Sequence, residues 1–317
     1  MRILITGGFG FIGGRLGQYL HQSGHQIILG SRNAISSPDW LPQAEVIQTD
    51  WKDESALSKI CNGVDVVIHT ASMNAQDCFA NPVAALELNG LATARLIQSA
   101  CQMKVAKFIY LSTAHVYTSP LVGVITEECC PRNLHPYAAS HLAGESVVLF
   151  ANQREQISGT VLRISNVFGR PSHQKVNCWM LLVNDLCRQA VQTGEMVLHS
   201  TGLQQRDFMT LYDVCRAVDH LINLQRTDFA RDLYNLGGEC SLTVWEMAQR
   251  IVQCCNKLLG FVPEIISPRP ELFEKTVRLH YDISRLKETG FLINGDWDIE
   301  ILQILDMCVA TQKSQIR

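Results

Sequence analysis

Tyr137 and His141 stand four positions apart in the stretch YAASH, residues 137–141. On a helix that spacing puts both side chains on one face, a turn apart. A phenol beside an imidazole can form a proton-transfer pair, or the two rings can simply pack; the spacing does not choose. A second chemically suggestive stretch is GGFGFIGG, residues 7–14, in which Gly7, Gly10 and Gly13 recur at every third position. Glycines between a strand and a helix allow a tight turn and let the backbone approach a pyrophosphate seated on the helix's open N–H groups. In such sites an acidic residue at the end of the second strand holds the ribose of NAD. This sequence has GSRN there, residues 30–33. The Arg32 guanidinium suits a 2′-phosphate, so the expected cofactor is NADP or NAD with the balance tilted to NADP. Stacking of Arg32 on the adenine is the alternative. Asp50, in TDWKD, is placed to meet the adenine amino group.

The elements that must position these residues are short apolar runs alternating with longer amphipathic stretches. RILIT (2–6), QIILG (26–30), AEVIQ (44–48), DVVIH (65–69), KFIYLS (107–112) and GTVLRIS (159–165) read as buried strands. Strands apolar on both faces belong in a parallel sheet covered by helices on both sides. The intervening stretches 12–23, 53–61, 83–103 and 137–153 read as those helices. The fold class is therefore α/β, a doubly wound parallel Rossmann sheet. After Phe168 the rhythm loosens: 170–205 is irregular, 212–224 returns to helix, 232–238 to strand, and 241–317 mixes helix with a PRP loop at 268–270. This pattern predicts a dinucleotide-binding domain over 1–169, completed by about 206–238. A smaller interleaved substrate-binding lobe then takes 170–205 and 239–317.

Composition sets outer limits. The 317 residues are 47% hydrophobic and 18% charged, with a formal net charge of −3, which leaves no electrostatic footprint for nucleic acid. No window approaches the ~20 apolar residues that span a bilayer, and MRILITGG is too short an apolar run for a secretory signal. A cytoplasmic protein with no membrane partner is expected. The twelve cysteines include no Cys-x-x-Cys pair, and the adjacent pairs Cys129–Cys130 and Cys254–Cys255 are poor geometry for a shared metal. Reduced thiols and no metal are the expectation.

Several ordered motifs resemble the extended short-chain dehydrogenase/reductase family of NAD-dependent, nucleotide-sugar epimerases, dehydratases and reductases. GGFGFIG resembles the family's first loop, VIHTAS (67–72) its fourth strand, and NPVAALELNGLATARLIQSA (81–100) its long helix with Asn89 in place. LSTAHVY (111–117) resembles the catalytic strand end, LRISNVFG (162–169) the start of the substrate lobe, and RDFMTLYDV (206–214) the later arginine motif. The resemblance implies cofactor contacts from Gly7, Gly10, Phe11, Ile12, Gly13, Arg32, Asp50, Trp51, Thr70, Ala71, Asn89, Tyr137 and His141. It implies substrate contacts from Ser72, Thr113, His115, Asn166 and Arg206, with the last two on the sugar and its diphosphate. It also implies a nucleotide-sugar substrate and a homodimer.

The family's acid/base is the tyrosine of a Tyr-x-x-x-Lys pair, which matches Tyr137, while Thr113 matches the residue that hydrogen-bonds the reacting oxygen. In the family that lysine holds the nicotinamide ribose hydroxyls and its charge lowers the tyrosine pKa; here it is replaced by His141. A cation ~4 Å from a phenol contributes roughly 1–4 kcal/mol, or one to three pKa units. Imidazole supplies that field only if its own pKa is raised, and Glu145, four residues further along the helix, is placed to raise it. Oxidising a hydroxyl needs tyrosinate as base, whereas reducing a carbonyl needs a neutral phenol as acid. The substitution tilts the expected chemistry towards ketosugar reduction. Two alternatives stay open: a cofactor-binding protein with impaired catalysis, and a reductase of a non-sugar ketone.

Overall fold

The computed structural model describes residues 1–225, 232–268 and 277–316; of the PRP stretch only Pro268 lies inside the described residues. The chain divides into two compact units. The first comprises Met1–Ser119, Glu127–Ile164 and Cys215–Leu236. Its seven strands are β1 (Arg2–Thr6), β2 (Gln26–Ser31), β3 (Glu45–Gln48), β4 (Val66–His69), β5 (Lys107–Thr113), β6 (Ser158–Ile164) and β7 (Leu233–Leu236). They form one sheet in the order β7-β6-β5-β4-β1-β2-β3, and every neighbouring pair is parallel. The chain enters at β1 and winds outwards in both directions, as the alternating apolar runs require.

Period-two alternation explains why the strands read as continuously apolar. Leu4, Ile28, Val67, Phe108 and Val161 pack on one side against Leu57, Ile60, Leu96, Ile97 and Val148. On the other side the helix Phe11–Gln22 lies so close that a Cβ on Gly17 would sit 3.1 Å from Leu29 Cδ2. Each fully buried Leu or Ile contributes about 1.5–3 kcal/mol, so both faces are held firmly. The expected helix at 83–103 is instead composite: Pro82–Ala85, a π-helical segment Leu86–Ala92, then Thr93–Gln102. Apolar periodicity does not distinguish a π insertion from an α turn, which is why the sequence shows one continuous helix.

The second unit comprises Pro120–Thr126, Ser165–Val214 and Gly237–Arg317. Its strand Gln205–Thr210 pairs in parallel with Asn166–Phe168 and antiparallel with Ser241–Thr243. Two further parallel pairs join Glu195–Val197 to Glu264–Ile266 and Gly123–Ile125 to Leu279–Tyr281. The stretch 170–205, irregular by sequence, holds a helix, Leu182–Thr193, closed by Gly194 at φ 74°. Its buried stripe of Val183, Leu186, Cys187 and Ala190 joins Phe168, Phe208, Met247, Ile251, Trp297 and Ile301 in this unit's core. Thr243 and Glu246 form a reciprocal capping box that starts the helix Val244–Leu259.

All twelve cysteines are free thiols; eight are buried, Cys101 and Cys129 half-buried, Cys130 and Cys240 exposed. Burial pushes Cys61, Cys255 and Cys308 up to about 12, so these thiols stay protonated at neutral pH. Among the described residues no group of three or more His, Cys, Asp or Glu could hold a metal ion. No described helix is long and apolar enough to cross a membrane.

Candidate active site

The parallel sheet brings the C-terminal ends of β1 to β6 to one edge, where ligands bind in open α/β folds. Gly7 leaves β1 at φ +66°, a conformation that favours glycine, and a Cβ there would lie 2.9 Å from Ala71 Cα and Thr70 Oγ1. Gly10 N–H donates to Gly7 O at 2.8 Å, closing the turn. A Cβ on Gly13 would be 2.4 Å from Gly7 O. Phe11 and Ile12 open the helix, and Gly10 at its N-cap carries no side chain to satisfy the first-turn N–H groups. Those donors and the stripped glycine surface make a cradle that fits an anion. Thr70 braces it, with Oγ1 donating to Thr6 O at 2.7 Å.

Arg32 is exposed just past the end of β2. Asp50 is also exposed, and its Oδ1 accepts from Lys52 N at 2.9 Å. Trp51 is half-buried, edge-on to the His69 ring at 5.7 Å. Ser72 is exposed beyond Ala71, and His115 is exposed in the short turn after Thr113. Asn89 sits fully buried in the π-helical segment, where its Oδ1 accepts from Met73 N at 2.9 Å and its Nδ2 donates to Ser140 Oγ at 3.0 Å. Ser140 Oγ in turn donates to Tyr137 O at 3.1 Å. Asn89 therefore ties the β4 loop to the helix that carries Tyr137; π segments commonly mark such positions.

Tyr137 and His141 lie on one face of the helix Pro136–Gln153, ring centroids 4.6 Å apart and edge-to-face. Burial raises the Tyr137 pKa above the ordinary phenol value, opposed in part by a hydrogen bond with Thr113. Thr113 Oγ1 accepts from His115 N at 3.1 Å, leaving its own hydroxyl proton to donate. His141 is 2% exposed, and burial lowers its pKa to about 4. Its Nδ1 lies 3.0 Å from Tyr110 Oη, while its Nε2 is buried with no partner among the described residues.

The expected pairing of Glu145 with His141 does not occur. Glu145 is 1% exposed and takes a bidentate contact from Arg163, Nε to Oε1 at 3.0 Å and Nη2 to Oε2 at 2.6 Å, plus Ser112 Oγ at 2.5 Å. A buried carboxylate needs a full set of donors, and the strand β6 guanidinium supplies them better than an imidazole. Tyr110 is the residue that sequence reasoning missed. A phenol inside a buried strand must find a hydrogen-bond partner, and that is its only signal. Its reach depends on Gly144, where a Cβ would lie 2.6 Å from Tyr110 Oη.

Asn166 and Arg206 belong to the second unit. Asn166 Nδ2 donates to Asp207 O at 2.9 Å, so its carbonyl oxygen remains to accept. Arg206 is half-buried; burial lowers its pKa, yet a guanidinium stays charged at neutral pH. Asp207 behind it is fully buried and raised to about 6, chiefly by burial, with Gly238 N donating to Oδ1 at 2.8 Å.

A doubly wound sheet with a glycine turn between its first strand and first helix is the architecture of dinucleotide-binding folds. The NAD dependent epimerase/dehydratase family model matches residues 3–237, and the chain belongs to that family. The putative UDP-glucose 4-epimerase of Methanocaldococcus jannaschii is 27% identical over 298 residues, 91% of this chain and 92% of its own. The dTDP-glucose 4,6-dehydratase of Streptomyces niveus is 26% identical over 271 residues, 81% of this chain and 78% of its own. The solved UDP-glucuronic acid 4-epimerase of Bacillus cereus, in complex with UDP-glucuronic acid and NAD, shares the fold with a TM-score of 0.79, 21% identity and 100% of both chains covered.

Proposed function

We propose that this protein is an NAD(P)-dependent enzyme of nucleotide-linked sugars that works chiefly as a ketosugar reductase. The observation that carries the reading is His141, buried, bonded to Tyr110 and lowered to about 4 in the position of the family's lysine. At pH 7 about one such imidazole in a thousand is charged, so His141 sets no cation beside Tyr137. Its phenol keeps its proton at Oη well past neutrality. That state serves reduction, in which Tyr137 donates the proton to a carbonyl oxygen, and it handicaps oxidation, in which tyrosinate must accept one.

The cofactor supplies or accepts the hydride when it is bound. The Gly7–Gly13 cradle is the fit for its pyrophosphate, and the unpartnered Nε2 of His141 is a fit for a ribose hydroxyl, the part of the lysine's work that needs no charge. Thr113, whose hydroxyl bonds Tyr137, suits the carbonyl oxygen once its proton is redirected from the phenol. Arg206 suits a diphosphate by charge and geometry, and the open carbonyl of Asn166 suits a sugar hydroxyl better than a phosphate. The exposed Arg32, standing where a ribose-binding carboxylate would be, favours NADP over NAD.

The test is turnover of UDP- and dTDP-4-ketohexoses with NADPH and NADH by the wild type and by Tyr137→Phe. The variant is expected to lose roughly 10²–10⁴ in rate while binding cofactor normally. Cofactor binding without turnover of any ketosugar would instead favour a non-catalytic role.

A further inference from the structure

Side chains alternate across the strand Gln205–Thr210. Arg206 and its cross-strand neighbour Leu242 share one face, whereas Gln205 and Asp207, opposite Thr243 and Ser241, share the other. The second face borders a cavity of about 410 Å³ that lies wholly within the second unit. Its polar lining comes from Gln205, Glu239, Ser241, Arg278 and His280, with Tyr281 beside them. The size falls inside the ~300–1,000 Å³ range of small-molecule sites.

The hydrogen-bonding capacity left in this lining is one-sided. Gln205 Oε1 accepts from Leu279 N at 2.8 Å, which fixes the amide so that its NH₂ group remains to donate. The Glu239 carboxylate is engaged by Lys287 Nζ at 2.8 Å, and His280 Nε2 stands 3.4 Å from Asp282 Oδ2. Arg278 is exposed at the cavity, and no carboxylate among the described residues pairs with it. A guanidinium, an amide NH₂ and the Ser241 hydroxyl thus line one cavity, while its lining carboxylate is ion-paired with Lys287. Such a donor set matches an acceptor-rich anion, which a guanidinium binds through two parallel hydrogen bonds.

We propose that this cavity is a second ligand site, on the opposite face of the strand from Arg206, taking a small metabolite that carries a phosphoryl or carboxylate group, with Arg278 pairing the anion and Gln205 and Ser241 completing its hydrogen bonds. The site does not depend on the reading of Tyr137 or of the cofactor cradle.

Calorimetric titration of the full chain with inorganic phosphate and, separately, with citrate tests it. The wild type should bind at least one probe; phosphate alone would assign a phosphoryl ligand, citrate alone a carboxylate, and both the shared chemistry. Arg278→Met, which keeps the aliphatic stem at an exposed position, should raise the Kd for that probe at least tenfold. Ser241→Ala should raise it about threefold to tenfold, and Arg206→Ala should leave it within twofold. An unchanged Kd in Arg278→Met, an equal loss in Arg206→Ala, or no binding of either probe by the wild type would overturn the proposal.

Discussion

A lysine at position 141 would set a permanent charge beside Tyr137; the imidazole there is packed against two phenols and kept neutral by burial. The imidazole is hydrogen-bonded to Tyr110 and in edge-to-face contact with Tyr137. Motif spacing singles out Tyr137 and Thr113, which lie near the start of one helix and at the end of one strand. The partner of Glu145 is not legible in this way, since Arg163 lies on β6 and only tertiary packing brings it to the helix that carries Glu145. The same holds for Tyr110, whose bond to His141 spans 31 positions. Arg32 carries the residue-scale prediction. Arg32→Ala should weaken NADPH at least tenfold and NADH less than threefold in fluorescence titrations, as loss of a charge-assisted contact to a 2′-phosphate requires. Equal losses would mean that Arg32 does not read the phosphate.

At the scale of elements, the strand–loop–helix at the N-terminus was the most legible feature, because glycine placement is dictated by backbone approach. The structure gives each glycine its reason: Gly7 its left-handed φ, Gly13 its contact with Gly7 O. The π-helical segment and the helix Leu182–Thr193 were not legible. The first needs one extra residue in a periodic run, and the second is flanked by irregular loops that dilute its apolar stripe. Gly13→Ala puts a methyl 2.4 Å from a backbone oxygen that cannot swing away. Overpacking of this kind costs about 1–3 kcal/mol and should cut affinity for either cofactor at least tenfold. Gly24→Ala, strained at φ +87° but with open space around its Cβ, should lower stability slightly and leave cofactor affinity intact. Wild-type cofactor affinity in Gly13→Ala would show that the loop does not seat the pyrophosphate.

Taken as a molecule, the chain buries ionisable groups that should govern its response to acid. His69 and His141 are lowered by burial to about 3 and about 4, so the unfolded chain takes up their protons below pH ~6.5 while the folded one does not. Each removes about 1.4 kcal/mol of stability per pH unit between ~6.5 and its folded value. Asp207 acts in the opposite sense. Raised to about 6, it takes up its proton in the folded state first, which stabilises the fold as pH falls from ~6 towards 4. The net expectation is a urea midpoint that is level from pH 8 to 7 and falls between 6.5 and 4 by about one histidine's worth per unit. Asp207→Asn should steepen the fall, and a midpoint independent of pH over that window would contradict the burial of these groups. Fold class was readable from the strand–helix alternation because both sheet faces are apolar. The second unit's small sheets, three residues to a strand in most cases, carry too little periodicity to be read in that way.

Whether Tyr137 works without a neighbouring cation is read from the pH–rate profile of the oxidative direction in wild type and in His141→Lys, with folding verified by circular dichroism. The wild-type rate should climb about tenfold per pH unit from 7 to 9 without a plateau, because the tyrosinate form is scarce throughout that range. The lysine variant should shift the profile down by roughly one to three units, with reduction changed much less. A wild-type plateau below pH 8, or identical profiles in two well-folded proteins, would contradict cation-free catalysis by Tyr137.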